Sequence, residues 1–357
     1  MMLETFKNDS LVLLQDLIQI PSFSREEDKT ADRLQQFLSV RGIKVHRKGN
    51  NVWAFNRHFD AGKPTILLNS HHDTVKPNPN YTRDPFEAII EDGKLYGLGS
   101  NDAGGCLVSL IATFLYYEAA SDLAYNLCLA ATAEEEISGQ NGIEFIMPDL
   151  GELSFAIVGE PTLMKMAVAE KGLMVLDCVA KGVAGHAARE EGVNAIYQAL
   201  PDIQWFSTHQ FERNSELSGP VKMSVTVIQA GSQHNVVPAQ CEFVVDIRMN
   251  ECYTHEELLE EIRQHVSCSV SPRSTRLKPS SIPLDHPIVV AGLDLGLTAF
   301  SSPTMSDQAL LTIPSLKIGP GDSARSHSAD EFVYVAEIEQ GIATYIQLLE
   351  RVLRPGN

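Results

Sequence analysis

The sequence predicts an α/β protein: a mixed sheet with helices on both faces, into which a smaller β-α-β-β-α-β unit is inserted. Three observations predict it. Strand-like apolar runs alternate with stretches whose apolar residues recur at helical spacing. Near residue 173 the rhythm changes to strand, helix, strand, strand, helix, strand, the ferredoxin-like order. A Pro/Ser-rich passage then returns the chain to α/β character. At 357 residues the chain is long for one core, and two units are the natural division.

Each element follows from local signals. Residues 9–20 and 28–41 repeat apolar positions at helical spacing and stop at Pro21 and Gly42. Strands are expected at 52–55 (VWAF), 65–70 (TILLNS), 127–132 (LCLAAT) and 155–160 (FAIVGE), with a buried helix over 104–120. In the inserted unit, strands at 174–180, 222–231, 239–248 and 268–277 are interleaved with helices at 193–209 and 255–266. PSSIPLDHPIV crosses back, SLKIGPG resumes the larger sheet, and an amphipathic helix over 336–353 closes the chain. The expected domains are residues 1–172 with 279–357, and 173–278 between them.

Charge narrows the function. The chain has 46 acidic against 28 basic side chains, a net charge of −18, which argues against nucleic acid or an anionic membrane as partner. No apolar run approaches the ~20 residues of a membrane span. The opening MMLETFKNDSLVLLQDL lacks a basic region followed by a long apolar one, so a cytoplasmic protein is expected. Cysteines 106, 128, 178, 241, 252 and 268 form no C-x-x-C pair and read as free thiols.

The residues that carry chemistry gather at strand ends, where open α/β sheets bind ligands. In SHHDTV, His71 and Asp73 stand two apart at the end of a strand and point the same way, while His72 faces the other. A metal-binding histidine passes its second N–H to a carboxylate, and Asp73 is placed for that. Taken alone, the motif fits a hydrogen-bonded loop histidine better than a metal ligand. In GLGSNDAGG, Asp102 is either an N-cap or a carboxylate that bridges two cations. Glu160 ends a strand before Pro161, the triplet Glu134, Glu135 and Glu136 ends another, and His327 lies in the loop SARSHSADEF. Nitrogen and oxygen donors without cysteine suit zinc, cobalt or manganese in an open site.

Taken in order, these motifs resemble those of the M20 metallopeptidase and deacylase family across nearly the whole chain. The resemblance implies a zinc-hydrolase catalytic domain with an inserted lid and dimerisation domain. It implies two Zn2+ ions per chain, replaceable by Co2+ or Mn2+: His71, Asp102 and Glu160 on one, Asp102, Glu136 and His327 on the other. TAEEE resembles the family's T-x-D-E-E, and the following ISGQNG sets the register that makes Glu135 the general base and Asp73 the orienter of His71. KGVAGHAAR puts His186 where family members reach across a homodimer to stabilise the oxyanion, and SQHNVVPAQCEFVVDIR puts Asn235 and Arg248 where substrate is held. A turn residue at 186 and a surface strand residue at 248 are the plainer readings. Two departures stand out: Gly104 replaces a frequent lysine and Leu98 a frequent arginine, the latter as in the acetylornithine deacetylase branch.

The implied function is metal-dependent hydrolysis of an N-acyl amino acid amide, acetylornithine deacetylase-like and so placed in arginine biosynthesis. Alternatives are acetylcitrulline deacetylation, desuccinylation of ornithine, citrulline or diaminopimelate derivatives, and dipeptide hydrolysis. A metal-bound scaffold with a retired site is the non-enzymatic rival. A nucleotide site is set aside because GLGSNDAGG is neither G-x-G-x-x-G nor a lysine-bearing phosphate loop.

Overall fold

The structure is a computed structural model that describes residues 2–189 and 191–355. The chain divides into two compact units, one of Met1–Val168, Ser281–Phe300 and Ser306–Asn357, the other of Ala169–Ser280 and Ser301–Met305.

In the first unit, among the described residues, a mixed sheet runs Val45–Lys48, Asn51–Phe55, Asn126–Thr132, Thr65–His71, Phe155–Val158, Ser315–Lys317 and then Met166–Glu170, whose first three residues belong to this unit. The strands Asn126–Thr132, Thr65–His71, Phe155–Val158 and Ser315–Lys317 are parallel neighbours, so their C-terminal ends open on one edge. Every residue of Thr65–His71 and Asn126–Thr132 is buried, as expected of strands covered on both faces. The helix Gly105–Tyr117 buries all but Leu115 and Tyr116, which explains its lack of a polar face. Val335–Leu353 turns Ile338, Ile342, Tyr345, Leu349 and Val352 inward, and Tyr117 Oη donates to the Ile346 carbonyl at 2.9 Å.

The second unit has the sheet order Lys222–Ala230, Gln240–Met249, Gly172–Lys181, Ser269–Pro272, all neighbours antiparallel, which is the order of a split βαβ unit. Alternate residues face its core: Met174, Leu176 and Cys178 on one strand, Phe243, Val245 and Ile247 on the next, against Phe206, Leu258 and Ile262 of the helices. Asn194 caps Ala195–Thr208, and Thr254 and Glu257 form a capping box on His255–His265.

Some elements differ from expectation for local reasons. The first helix spans Met2–Ile18 and stops short of Pro21, since the residue before proline avoids the helical region. The strand expected over 268–277 is only Ser269–Pro272, followed by one more bond to the neighbouring strand, from the Arg273 N–H to the Val175 carbonyl at 2.9 Å. The Pro-rich crossing contains a helix, Pro287–Asp294, with proline at its first turn where no N–H is needed and His286 as its cap. Val45–Lys48 and Met166–Glu170 are strands without a prior signal.

Candidate active site

The shared edge of the four parallel strands brings the strand-end residues together. His71 is the last residue of its strand and is buried. Its Nδ1 lies 3.0 Å from the Asp73 carbonyl and 3.4 Å from Asp73 Oδ1. Its Nε2 faces Asp102 Oδ1 at 3.2 Å, Glu160 Oε1 at 3.7 Å and Glu135 Oε2 at 3.8 Å. His72 turns away, with Nδ1 2.9 Å from Thr30 Oγ1 and Nε2 2.9 Å from the Asn50 carbonyl.

Asp102 does not cap the following helix, whose cap position is Gly104. Its backbone is extended, and its peptide bond to Ala103 is cis. The side chain reaches His71 through Oδ1 and stands 3.6 Å from His327 Nε2 through Oδ2. His327 in turn lies 2.9 Å from Glu136 Oε2. Two groups able to hold a metal ion result, His71 with Asp102 and Glu160, and Asp102 with Glu136 and His327; within each, the donor atoms lie within 4.8 Å of one another.

The triplet Glu134–Glu135–Glu136 forms a tight turn that separates its carboxylates. Glu134 has a left-handed backbone, φ 57°, and its carboxylate bends back to take the Asn141 backbone and side-chain N–H at 3.3 and 2.9 Å. Gly139 is required beneath it, since a Cβ there would stand 2.0 Å from Glu134 Oε2. The Asp73 carboxylate accepts the backbone N–H of Glu135 at 3.0 Å and of Glu136 at 3.2 Å, and the Ser24 hydroxyl at 2.7 Å. Asp73 therefore fixes the glutamate turn as well as the neighbouring histidine.

Burial dominates the electrostatics. It pushes the Glu135 carboxyl well up, Glu136 up, and Glu160 up to about 8. For Asp102 burial works upward too, but hydrogen bonding and charge from His71 outweigh it and the net shift is downward. Burial opposes protonation of His71, yet Glu135, Asp102, Asp73 and Glu160 raise it overall; the hydrogen bond to Glu136 leads in raising His327 to about 9. Three carboxylates, Asp102, Glu136 and Glu160, packed around two imidazoles, with burial resisting their charge, form a nitrogen and oxygen donor set that fits divalent cations.

The sequence profile of Peptidase family M20/M25/M40 matches residues 67–351, the span that holds all five of these donor residues. The chain belongs to that family. As a member of it, the protein is a hydrolase acting on amide bonds. It is 29% identical to the acetylornithine deacetylase of Proteus mirabilis, over 95% of each chain. It is 28% identical to the succinyl-diaminopimelate desuccinylase of Xanthomonas oryzae pv. oryzae, over 97% of this chain and 99% of the relative. Its fold is similar to that of aminopeptidase PepT from Bacillus cereus, with a TM-score of 0.78 and 16% identity over 97% and 98% of the two chains. A dinuclear metal binding peptidase of the M20 family from Bacillus subtilis superposes with a TM-score of 0.74 and 16% identity over 98% and 99%.

Three buried carboxylates of this M20 member escaped the sequence reading. Glu331 accepts the backbone N–H of Asn101 at 2.9 Å and of Asp102 at 3.0 Å, and burial raises it to about 8. Asp307 takes Asn69 Nδ2 at 2.8 Å and the Thr132 hydroxyl at 2.7 Å, tying together the ends of two parallel strands. Glu27 takes the Glu134 N–H at 3.2 Å. Glu331 had a signal, four residues beyond His327 in a polar loop; Asp307 and Glu27 had none.

His186, Asn235 and Arg248 belong to the second unit and are described within it. His186 is exposed in a short strand paired to Val236–Val237, and its Nδ1 accepts the Ala188 N–H at 3.1 Å. Asn235 is exposed, and its carbonyl accepts the Ala187 N–H at 3.0 Å. Arg248 is half-buried and already engaged: Nε and Nη2 hold the two oxygens of Asp246 at 2.9 and 3.1 Å. Among the described residues no helix is long and apolar enough to cross a membrane, and all six cysteines are free.

Proposed function

We propose that the protein is a di-zinc deacylase that cleaves the amide bond of a small N-acyl amino acid, with acetylornithine deacetylation as the leading substrate assignment. The observation that carries this is the pair of donor groups sharing Asp102, with the Glu135 carboxylate 3.8 Å from His71 at their side. In this reading His71, Asp102 and Glu160 hold one ion, and Asp102, Glu136 and His327 the other. When bound, the ions supply Lewis acidity toward the acyl carbonyl and the attacking water.

The rest is done by the chain's own residues. Glu135 accepts the proton of the attacking water and returns it to the leaving amine nitrogen. Asp73 keeps that carboxylate in position through the backbone of its turn. His186 donates to the oxyanion: with the Ala188 N–H pointing at Nδ1, the ring proton sits on Nε2, which makes the outward edge a donor. Asn235 and Arg248 hold the substrate, Arg248 through its α-carboxylate.

The second unit serves as lid and dimerisation domain in this reading. What favours a homodimer through it is the edge strand Lys222–Ala230, which exposes Val227 and Ile228. A cytoplasmic location goes with the biosynthetic role. Desuccinylation is the second reading, favoured by the similarity to a succinyl-diaminopimelate desuccinylase.

The test is a panel of acetyl- and succinyl-ornithine, acetyl- and succinyl-citrulline, succinyl-diaminopimelate and dipeptides, given to the purified protein with zinc or cobalt while free amine is followed. Release from acetylornithine above all others supports the assignment, and release from the succinyl compounds alone replaces it with desuccinylation. Cleavage of dipeptides only makes the protein a peptidase, and no release from any of them leaves the scaffold reading.

A further inference from the structure

Glu27 stands at the N-cap of the helix Asp28–Ser39, yet its side chain makes no capping hydrogen bond. A carboxylate at that position ordinarily caps the first turn of a helix, so its diversion calls for a reason. The side chain is instead fully buried and spent elsewhere. Oε1 accepts the Arg25 N–H at 2.6 Å and the Glu134 N–H at 3.2 Å, and Oε2 accepts Asn50 Nδ2 at 2.8 Å. The contact with Glu134 spans 107 residues of sequence.

Placed beside the two bonds made by Asp73, this completes a pattern. Three successive backbone N–H groups, those of Glu134, Glu135 and Glu136, are each held by a buried carboxylate, the first by Glu27 and the next two by Asp73. Backbone donors held one by one cannot slide, and a slip of one residue would exchange the places of Glu135 and its neighbours. Glu134 also adopts a left-handed backbone that only surrounding contacts maintain. Burying a carboxylate is costly unless it is hydrogen-bonded, and three of the bonds that satisfy these two go to this one turn.

We infer that Glu27 is a positioning residue of the active site, which with Asp73 clamps the register of the Glu134–Glu136 turn and so aims the Glu135 carboxylate. The inference rests on the reading of Glu135 as proton carrier, and it concerns a residue that touches neither substrate nor metal.

The test compares Glu27→Ala, Glu27→Gln and the parent enzyme. Glu27→Ala leaves the Glu134 N–H without its acceptor, and kcat falls about tenfold or more with KM within about twofold. Glu27→Gln keeps a carbonyl oxygen for the same N–H and recovers most of that loss. Hydrogen exchange, followed by mass spectrometry on the metal-loaded protein without substrate, speeds up about tenfold for amides 133–137 in Glu27→Ala and stays near the parent in Glu27→Gln. Should Glu27→Ala fail to fold, Glu27→Asp, which keeps the charge and shortens the reach by one methylene, gives the same two losses. A kcat within twofold of the parent with unaltered exchange overturns the clamp, as does a Glu27→Gln enzyme no better than Glu27→Ala. Because exchange is read without turnover, it separates the two ideas: an active Glu135→Gln enzyme removes the proton-carrier reading and leaves the exchange result standing.

Discussion

Asp102 offers one carboxylate oxygen to His71 at 3.2 Å and stands with the other 3.6 Å from His327, so one side chain belongs to both donor groups. Its position is set by Glu331, which takes the Asp102 N–H at 3.0 Å.

That sharing predicts that the two metal sites fail together. Asp102→Ala removes a donor from each group, and metal analysis after dialysis gives less than one ion per chain against the two expected of the parent on the proposed two-site reading. Turnover falls by at least a hundredfold, the upper range for weakening a metal's support. His327→Ala, which touches only one group, retains an ion at the other. Retention of two ions by Asp102→Ala rules out its bridging role.

Glu135 is adjacent to a donor residue without belonging to either group, and its separation from Glu136 predicts separable effects. Glu135→Gln loses roughly 10²–10⁴ in kcat, the usual contribution of a positioned acid-base group, with metal content unchanged. Glu136→Gln loses metal. If Glu135→Gln instead loses metal and Glu136→Gln does not, the turn is read one residue out of register.

The metal-free protein has a defined pH response. Glu160 and Glu331 are raised to about 8 and His327 to about 9 from ordinary values of 4.5 and 6.5. Between those limits the folded chain holds protons that the unfolded chain has released, so stability falls as pH rises. Asp73 and Asp102 shift the opposite way and act only below pH 4. The Tm of chelator-treated protein therefore drops from pH 5 to pH 9, while metal-loaded protein, in which cations replace those protons, shows a widening advantage over the same range. A constant Tm difference between the two forms across that range argues against cations bound at this cluster.

How much of this was legible depended on whether a residue's role is local. His71, Asp102, Glu160 and His327 sit at strand ends or in glycine-punctuated loops, and parallel strands bring such ends to one edge whatever the loops between them do. The split βαβ unit was legible because its strands alternate buried and exposed positions. Glu27 and Asp307 were not, because each acts on a partner more than a hundred residues away, 107 for Glu27 to Glu134 and 238 for Asp307 to Asn69, whereas Glu331 had its place four residues beyond His327 to mark it. Nothing in the flanks of a buried carboxylate marks the distant N–H it will hold. Arg248 is legible as a site candidate, while no motif marks Asp246, its partner two residues back on the same strand face.

That partner sharpens the last prediction. Asp246 holds the Nε and Nη2 side of the Arg248 guanidinium, which leaves Nη1 and the end of the fork for a second carboxylate. If Arg248 holds the substrate carboxylate as proposed, Asp246 is an orienting group and not a competitor for substrate. Arg248→Ala raises KM by about ten- to a hundredfold with a smaller change in kcat, the range expected for a charge-assisted pair. Asp246→Asn, which keeps one acceptor oxygen and loses the charge, raises KM by only a few-fold. If Asp246 competed for the guanidinium, the same change would lower KM, and steady-state kinetics on the two single variants decides between these outcomes.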